Sequence, residues 1–338
     1  MKNLIIALLL FSIVLVSGCT NTNTYTSEGV VINMEATPSG VLENSNTLVY
    51  VDVDNKDIKT MNRVFIDIYD YGNFEAVKDS SGSIKLEKTV PEEGTGERKC
   101  SGGTSPGQCN AEEPLYCDSK GCSWNRCDIC GCSSGDCLST GDCGKLNPCS
   151  KFLTDMDVGD VQTLECQLKA KLVPYTPYQT KVSARVRYET NLSVVQTIDM
   201  MTESWYQSHE LAGTLQRRPK SYSYNDKNLQ LDLEFSDEMP IIKRSGKESF
   251  VTFKLRNIGN GFIFGIRSAD LKIIQNQEIL KSCKIDSCGL IPIGKDFPAF
   301  TCELSFPENI NYLNNYIIII NIKYAYEVRE EIPIEIIR

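Results

Sequence analysis

Along most of this chain apolar residues recur at every second position, a spacing that fits half-buried β-strands and not helices. Val49, Val51 and Val53 share one side of an extended run, while Tyr50, Asp52 and Asp54 share the other. Val64, Ile66 and Ile68 repeat the pattern, as do Leu164, Cys166 and Leu168, and then Val182, Ala184, Val186 and Tyr188. Asn, Asp, Gly and Pro turns separate these runs. The expected fold class is therefore all-β, built from antiparallel strands with one buried and one wet face.

The second half repeats the order. Leu229, Leu231, Leu233 and Phe235 open it; Val251, Phe253 and Leu255 follow, then Phe300, Cys302, Leu304 and Phe306. Ile318, Ile320, Ile322 and Tyr324 come next, and Ile332, Ile334 and Ile336 close the series. Aligning the halves sets Leu164-Glu165-Cys166-Gln167-Leu168 on Phe300-Thr301-Cys302-Glu303-Leu304, and Arg187-Tyr188-Glu189 on Lys323-Tyr324-Ala325. About seven short strands per unit, with a closing hairpin, point to two tandem immunoglobulin-like β-sandwiches from a duplication, over residues 29–200 and 229–338. Residues 201–228 are expected to join them as a helical linker. Thr202 or Ser204 caps the helix, Gly213 ends it, and Trp205, Tyr206 and Leu211 are candidates to pack it. His209, the only histidine, belongs on its surface. The basic, aromatic stretch from Gln216 to Tyr224 is read as solvated linker.

Fifteen cysteines are unevenly placed. Cys100, Cys109, Cys117, Cys122, Cys127, Cys130, Cys132, Cys137, Cys143 and Cys149 crowd one stretch; Cys166 follows, and Cys283, Cys288 and Cys302 stand downstream. Against the second half, the first carries an insert over about 91–150 that is rich in Gly, Ser and Cys. Such a segment has too few branched apolar residues for a core, so disulfides must order it. Their connectivity is open. The fourteen cysteines other than Cys19 split eleven to three. Either a bridge joins the two groups or each keeps one free thiol. Cys127-Asp128-Ile129-Cys130-Gly131-Cys132 has spacings that thiolate metal ligands also use, but no histidine accompanies it.

The first residues supply an address. Lys2 precedes an apolar run, and Val16-Ser17-Gly18-Cys19 ends it. Leu4 to Gly18 is shorter than the about 20 residues that span a bilayer. The ending resembles the lipobox of secreted lipoproteins, which implies a signal peptide over 1–18 and a lipid on Cys19. A conventional cleaved signal or an uncleaved anchor would export the remainder equally. Residues 19–28 read as a polar tether. Phe253-Lys254-Leu255-Arg256-Asn257-Ile258-Gly259-Asn260-Gly261 resembles the strand and Asn-x-Gly turn of adhesion-type Ig-like modules of the CARDB group. Taken together, the chain is similar to archaeal surface lipoproteins with tandem modules of this kind. The resemblance implies an extracellular, lipid-anchored place on the outer face of the cytoplasmic membrane, and no known activity.

Charge and residue inventory narrow the function. The chain holds 35 basic and 44 acidic residues, a net charge of −9. Removing 1–18 takes away only Lys2, so −9 becomes −10. That balance argues against nucleic acid. One histidine excludes histidine-based triads and multi-imidazole zinc sites. No phosphate loop or nucleophile elbow is present, and no catalytic residue, cofactor or metal is expected. Asp52, Asp54 and Asp57 resemble part of a calcium loop, but alternation sets the first two on a solvent face. Asn191-Leu192-Ser193 is a glycosylation sequon, expected in a hairpin turn. The expected role is structural, adhesive or partner-binding, towards an unidentified surface protein or glycan. Tyr116, Ser123, Trp124, Asn125 and Arg126 of the insert are the candidate contact surface. The alternative is an exported metal-binding or thiol-redox protein that uses the insert.

Overall fold

The computed structural model describes residues 29–77, 147–244, 248–275, 279–285, 289–306 and 312–338, together with the backbone of four short strands between 115 and 144. In the first half the chain forms β1 (Gly29–Thr37), β2 (Gly40–Leu42), β3 (Asn46–Lys56), β4 (Met61–Asp70) and β5 (Phe74–Ala76). The short strands β6 (Leu115–Cys117), β7 (Ser123–Asn125), β8 (Asp136–Cys137) and β9 (Cys143–Gly144) follow, and then β10 (Ser150–Met156), β11 (Val161–Ala170) and β12 (Tyr178–Thr202). Helix α1 (Glu203–Leu211) leads into β13 (Ser221–Asn225), β14 (Leu229–Phe235), β15 (Ile241–Lys243) and β16 (Ser249–Asn257). The chain continues through β17 (Phe262–Ile263), β18 (Leu271–Gln275), β19 (Leu280–Lys281), β20 (Phe300–Leu304) and β21 (Leu313–Ile337). The protein is predominantly β, as the two-residue periodicity predicts.

Three main sheets carry the described structure. One has the order β1-β3-β11-β5, another β13-β14-β16-β20-β19. The third and largest is built around β12 and β21, with β10, β4, β15, β2, β17 and β18 along their sides. The alternating apolar residues of all three meet in one contiguous core, including Val51, Ile66, Leu168 and Val186 in the first half and Phe253, Cys302, Ile318 and Ile320 in the second. Each smaller sheet buries one face against one end of the large sheet, an arrangement consistent with β-sandwich packing.

The long strands change the expected division of the chain. β12 and β21 are each 25 residues long and pair antiparallel from Tyr178↔Ile336 to Met201↔Leu313. No hairpin turn interrupts either one. Asn191 lies inside β12 opposite Lys323, so the sequon is in a strand and not in the expected turn. Its side-chain amide donates to the Ser193 hydroxyl at 3.0 Å. The physical reason is on the buried face: Leu192, Val194, Ile198 and Met200 continue the alternation without a break. Consequently residues 191–201 add to the second half's sheet, beside β15. Residues 331–336 return to the first half, where they pair with Tyr178–Ser183. The expected boundary between 200 and 229 therefore does not divide the sheet. The helix forms, but Leu211 is 90 % exposed and no helix residue is buried; Trp205 instead meets the Tyr312 ring at 5.1 Å. Part of the stretch read as linker is strand β13, whose Tyr222 and Tyr224 pack on the core.

The two halves correspond in their registers. Val186↔Ile66 in the first half answers Ile322↔Leu271 in the second, and Cys166↔Val49 answers Cys302↔Val251. Val41↔Ile336 answers Ile241↔Met200. Tyr188, equivalent to Tyr324, pairs with Tyr326, and Tyr324 pairs with Thr190. An approximate two-fold axis therefore passes between the opposed residues Glu189 and Ala325. Both halves also use a buried asparagine to close the same turn. Asn55 Oδ1 accepts from Asp57 N while its amide donates to Lys59 O, and Asn257 Oδ1 accepts from Gly259 N while its amide donates to Gly261 O.

Candidate interaction surface

Disulfides occupy equivalent places in the halves. Cys149 bridges Cys166, and Cys283 bridges Cys302, with Cα separations of 5.3 and 4.0 Å. The first bridge roots the end of the insert in the core between β10 and β11. The side chains of the other expected disulfide cysteines lie outside the described residues: Cys100, Cys109, Cys117, Cys122, Cys127, Cys130, Cys132, Cys137, Cys143 and Cys288. Two of these are opposed along the backbone, Cys137↔Cys143 in β8 and β9. Cys19 and Arg126 also lie outside the described residues. Tyr116 and Trp124 are opposed across the β6–β7 pair, flanked by Cys117↔Ser123 and Leu115↔Asn125. Asp52 and Asp54 are on the outer side of β3, whereas Asp57 is buried, 3.8 Å from Lys227 Nζ. His209 Nδ1 lies 3.0 Å from Trp205 O within the helix.

A more organised cluster lies on the outer face of the large sheet, and nothing in a linear reading singles it out. Strand registers bring two ranks of side chains across it. Asp67 of β4, Arg185 of β12 and Arg329 of β21 form one; Phe65, Arg187, Glu327 and Phe262 form the other. Like charges such as Arg185 and Arg329 repel when directly opposed. Here carboxylates offset that repulsion. Asp67 accepts from Arg185 Nε at 2.7 Å and Nη2 at 3.1 Å. Glu327, 0 % exposed, takes Arg187 on one oxygen at 2.6 and 3.1 Å and Arg329 on the other at 2.6 and 2.7 Å.

Aromatic rings hold the guanidiniums from the side. Arg185 and Arg329 stand 5.3 and 5.5 Å from the Tyr69 ring centre, Arg329 is 4.7 Å from Phe262, and Arg187 is 4.7 Å from Phe264. Such cation–π contacts and bidentate pairs suit arginine's planar fork and not lysine's point charge. Tyr69, Phe262 and Phe264 nevertheless remain 39 %, 48 % and 52 % exposed. Burial pushes the Asp67 carboxyl above the usual carboxylate range, against the hydrogen bonds and charge of Arg185. Burial alone would lower Arg185, but Asp67 lifts it above its ordinary value. These directions favour opposite states of the pair, and the bidentate geometry decides for the ionised one at neutral pH. Three guanidiniums against two carboxylates leave this face with an excess positive charge on an acidic chain.

A second polar group is structural. At the two-fold junction the Tyr324 hydroxyl donates to Asp226 at 2.8 Å, and Asn228 Nδ2 donates to the Tyr188 hydroxyl at 3.2 Å. Gly261 N donates to the Tyr326 hydroxyl at 2.6 Å, and the Tyr188 and Tyr326 rings meet edge to face at 5.8 Å. Burial raises the Asp226 carboxyl, against hydrogen bonds from Leu229 N, Tyr324 and Asn228 N. The group ties turns of the second half to both long strands.

Among the described residues, no group of three or more His, Cys, Asp or Glu could hold a metal ion. In the same residues no helix is long and apolar enough to cross a membrane. The chain matches no protein-family model and no curated protein sequence.

Proposed function

We propose that this is an exported surface protein, lipid-anchored through Cys19, that binds a partner and performs no catalysis. The observation that carries this reading is the arginine–aromatic face: partly exposed guanidiniums held by carboxylates on a sheet beside rings left open to solvent, with the composition of interface hot spots. The two disulfides support an oxidising, extracellular setting. The paired sheets with a cysteine in equivalent strands support reading each half as an Ig-like module, and the Asn-x-Gly turn supports kinship with archaeal CARDB-type modules. In this reading the cysteine-rich insert provides a second contact area around Tyr116, Trp124 and Arg126.

Cell fractionation tests the anchor. The parent protein is expected in the membrane fraction with a lipid on Cys19, and Cys19→Ser is expected to leave that fraction or remain as unprocessed precursor. A Cys19→Ser protein that is still processed and membrane-held would overturn it. A thiol count on denatured, unreduced protein tests the staples: four or more free thiols with stoichiometric zinc or iron would favour the metal or redox alternative.

A further inference from the structure

The duplication supplies an internal control for the arginine–aromatic face. Registers equate Asp67, Arg185, Arg187, Glu327 and Arg329 with Lys272, Asn321, Lys323, Asn191 and Ser193 of the other end, while Tyr69 falls at the irregularity between the Ile68 and Asp70 pairs and has no register counterpart. The same sheet therefore forms without buried carboxylates or paired guanidiniums at these positions. The fold does not require the cluster. Buried ion pairs are a weak source of stability, since desolvation offsets much of their attraction. Their specialisation at one end calls for another cause.

We infer that this face, as the contact site of the partner-binding reading above, docks an acidic polypeptide segment that also carries apolar side chains. Three features select that chemistry. First, the excess positive charge sits on a chain whose net charge is −9, so it complements an anionic partner where the rest of the surface repels one. Second, Arg185 and Arg187 hold their carboxylates through Nε and Nη2, which leaves Nη1 outside those contacts. A partner carboxylate can take that remaining donor. Third, a guanidinium already stands over each of Tyr69, Phe262 and Phe264. Ring stacking by a sugar is thereby disfavoured, while the exposed flanks of two phenylalanines suit aliphatic or aromatic side chains.

The test places a photo-crosslinking amino acid at Phe264 in the full-length protein, in its native membrane, and sequences the captured segment. The expected product is a polypeptide segment in which Asp and Glu outnumber Lys and Arg. Cross-link yield is expected to fall at least about tenfold when the set Arg187→Lys, Glu327→Asn and Arg329→Ser installs the other end's residues, the scale of losing one hot spot. Because those residues already occupy equivalent strands, the variant is expected to fold, and its melting curve checks this. Capture of a basic or neutral segment, a glycan or a second copy of the chain would overturn the acidic-partner inference and leave partner binding standing. No capture at Phe264, with capture at Trp124, would move the contact to the insert. No capture at either would overturn both.

Discussion

Glu327 is the residue on which the outer face depends, because its two oxygens each hold one arginine and neither reaches solvent. Glu327→Ala leaves Arg187 and Arg329 without their shared counter-charge, and removing one partner of a buried pair costs about 3 kcal/mol. Chemical denaturation is expected to show that loss, with Glu327→Asn, Arg329→Ser and Arg187→Lys together costing less. Asp226 sets a different expectation. Its carboxyl is raised by burial, so the native state binds that proton more tightly than the unfolded chain does. Stability then falls as pH rises through the ordinary carboxylate range to the raised value. Asp226→Asn removes that titration while keeping an acceptor for Tyr324. Thermal unfolding between about pH 4 and pH 7 should show the variant gaining on the parent as pH rises; a variant that loses ground to the parent over that range would contradict the assignment.

Among the elements, the strands were readable because burial imposes a period of two, and the equivalence of Cys166 with Cys302 was readable because it falls within that period. The length of β12 was in principle equally readable. Leu192, Val194, Ile198 and Met200 keep the phase set by Val186 and Tyr188, yet Asn191 and Ser193 are turn-forming residue types and suggest a hairpin there. Tertiary pairing with β21 overrides that local preference. The outer face was not readable at all. Asp67, Arg185 and Glu327 are far apart in sequence, and only the registers of β4, β12 and β21 bring them together. The disulfides belong to this scale. Their loops span 17 and 19 residues, so replacing either pair with alanine is expected to cost about 3 kcal/mol in the chain-entropy account. Urea unfolding of the two double variants checks the expectation that the losses are similar.

For the whole molecule, each half draws part of its sheet from the other. Residues 29–200 lack the Ile332–Ile336 segment that completes the ladder beside Tyr178–Val182, and residues 229–338 lack the Leu192–Met200 segment that lines the other end. Each half expressed alone should therefore fail to give a dispersed amide spectrum, while the two produced together should recover it. A well-folded lone half would show that the shared strands are dispensable.

The near-symmetry of the long ladder also bears on origin. A unit encoded once could have closed the same ladder with a second copy of itself, across a true two-fold axis. Fusing two such copies into one chain would relax that symmetry. Each outer face would then be free to acquire its own residues, which a homodimer, bound to change both faces together, could not do.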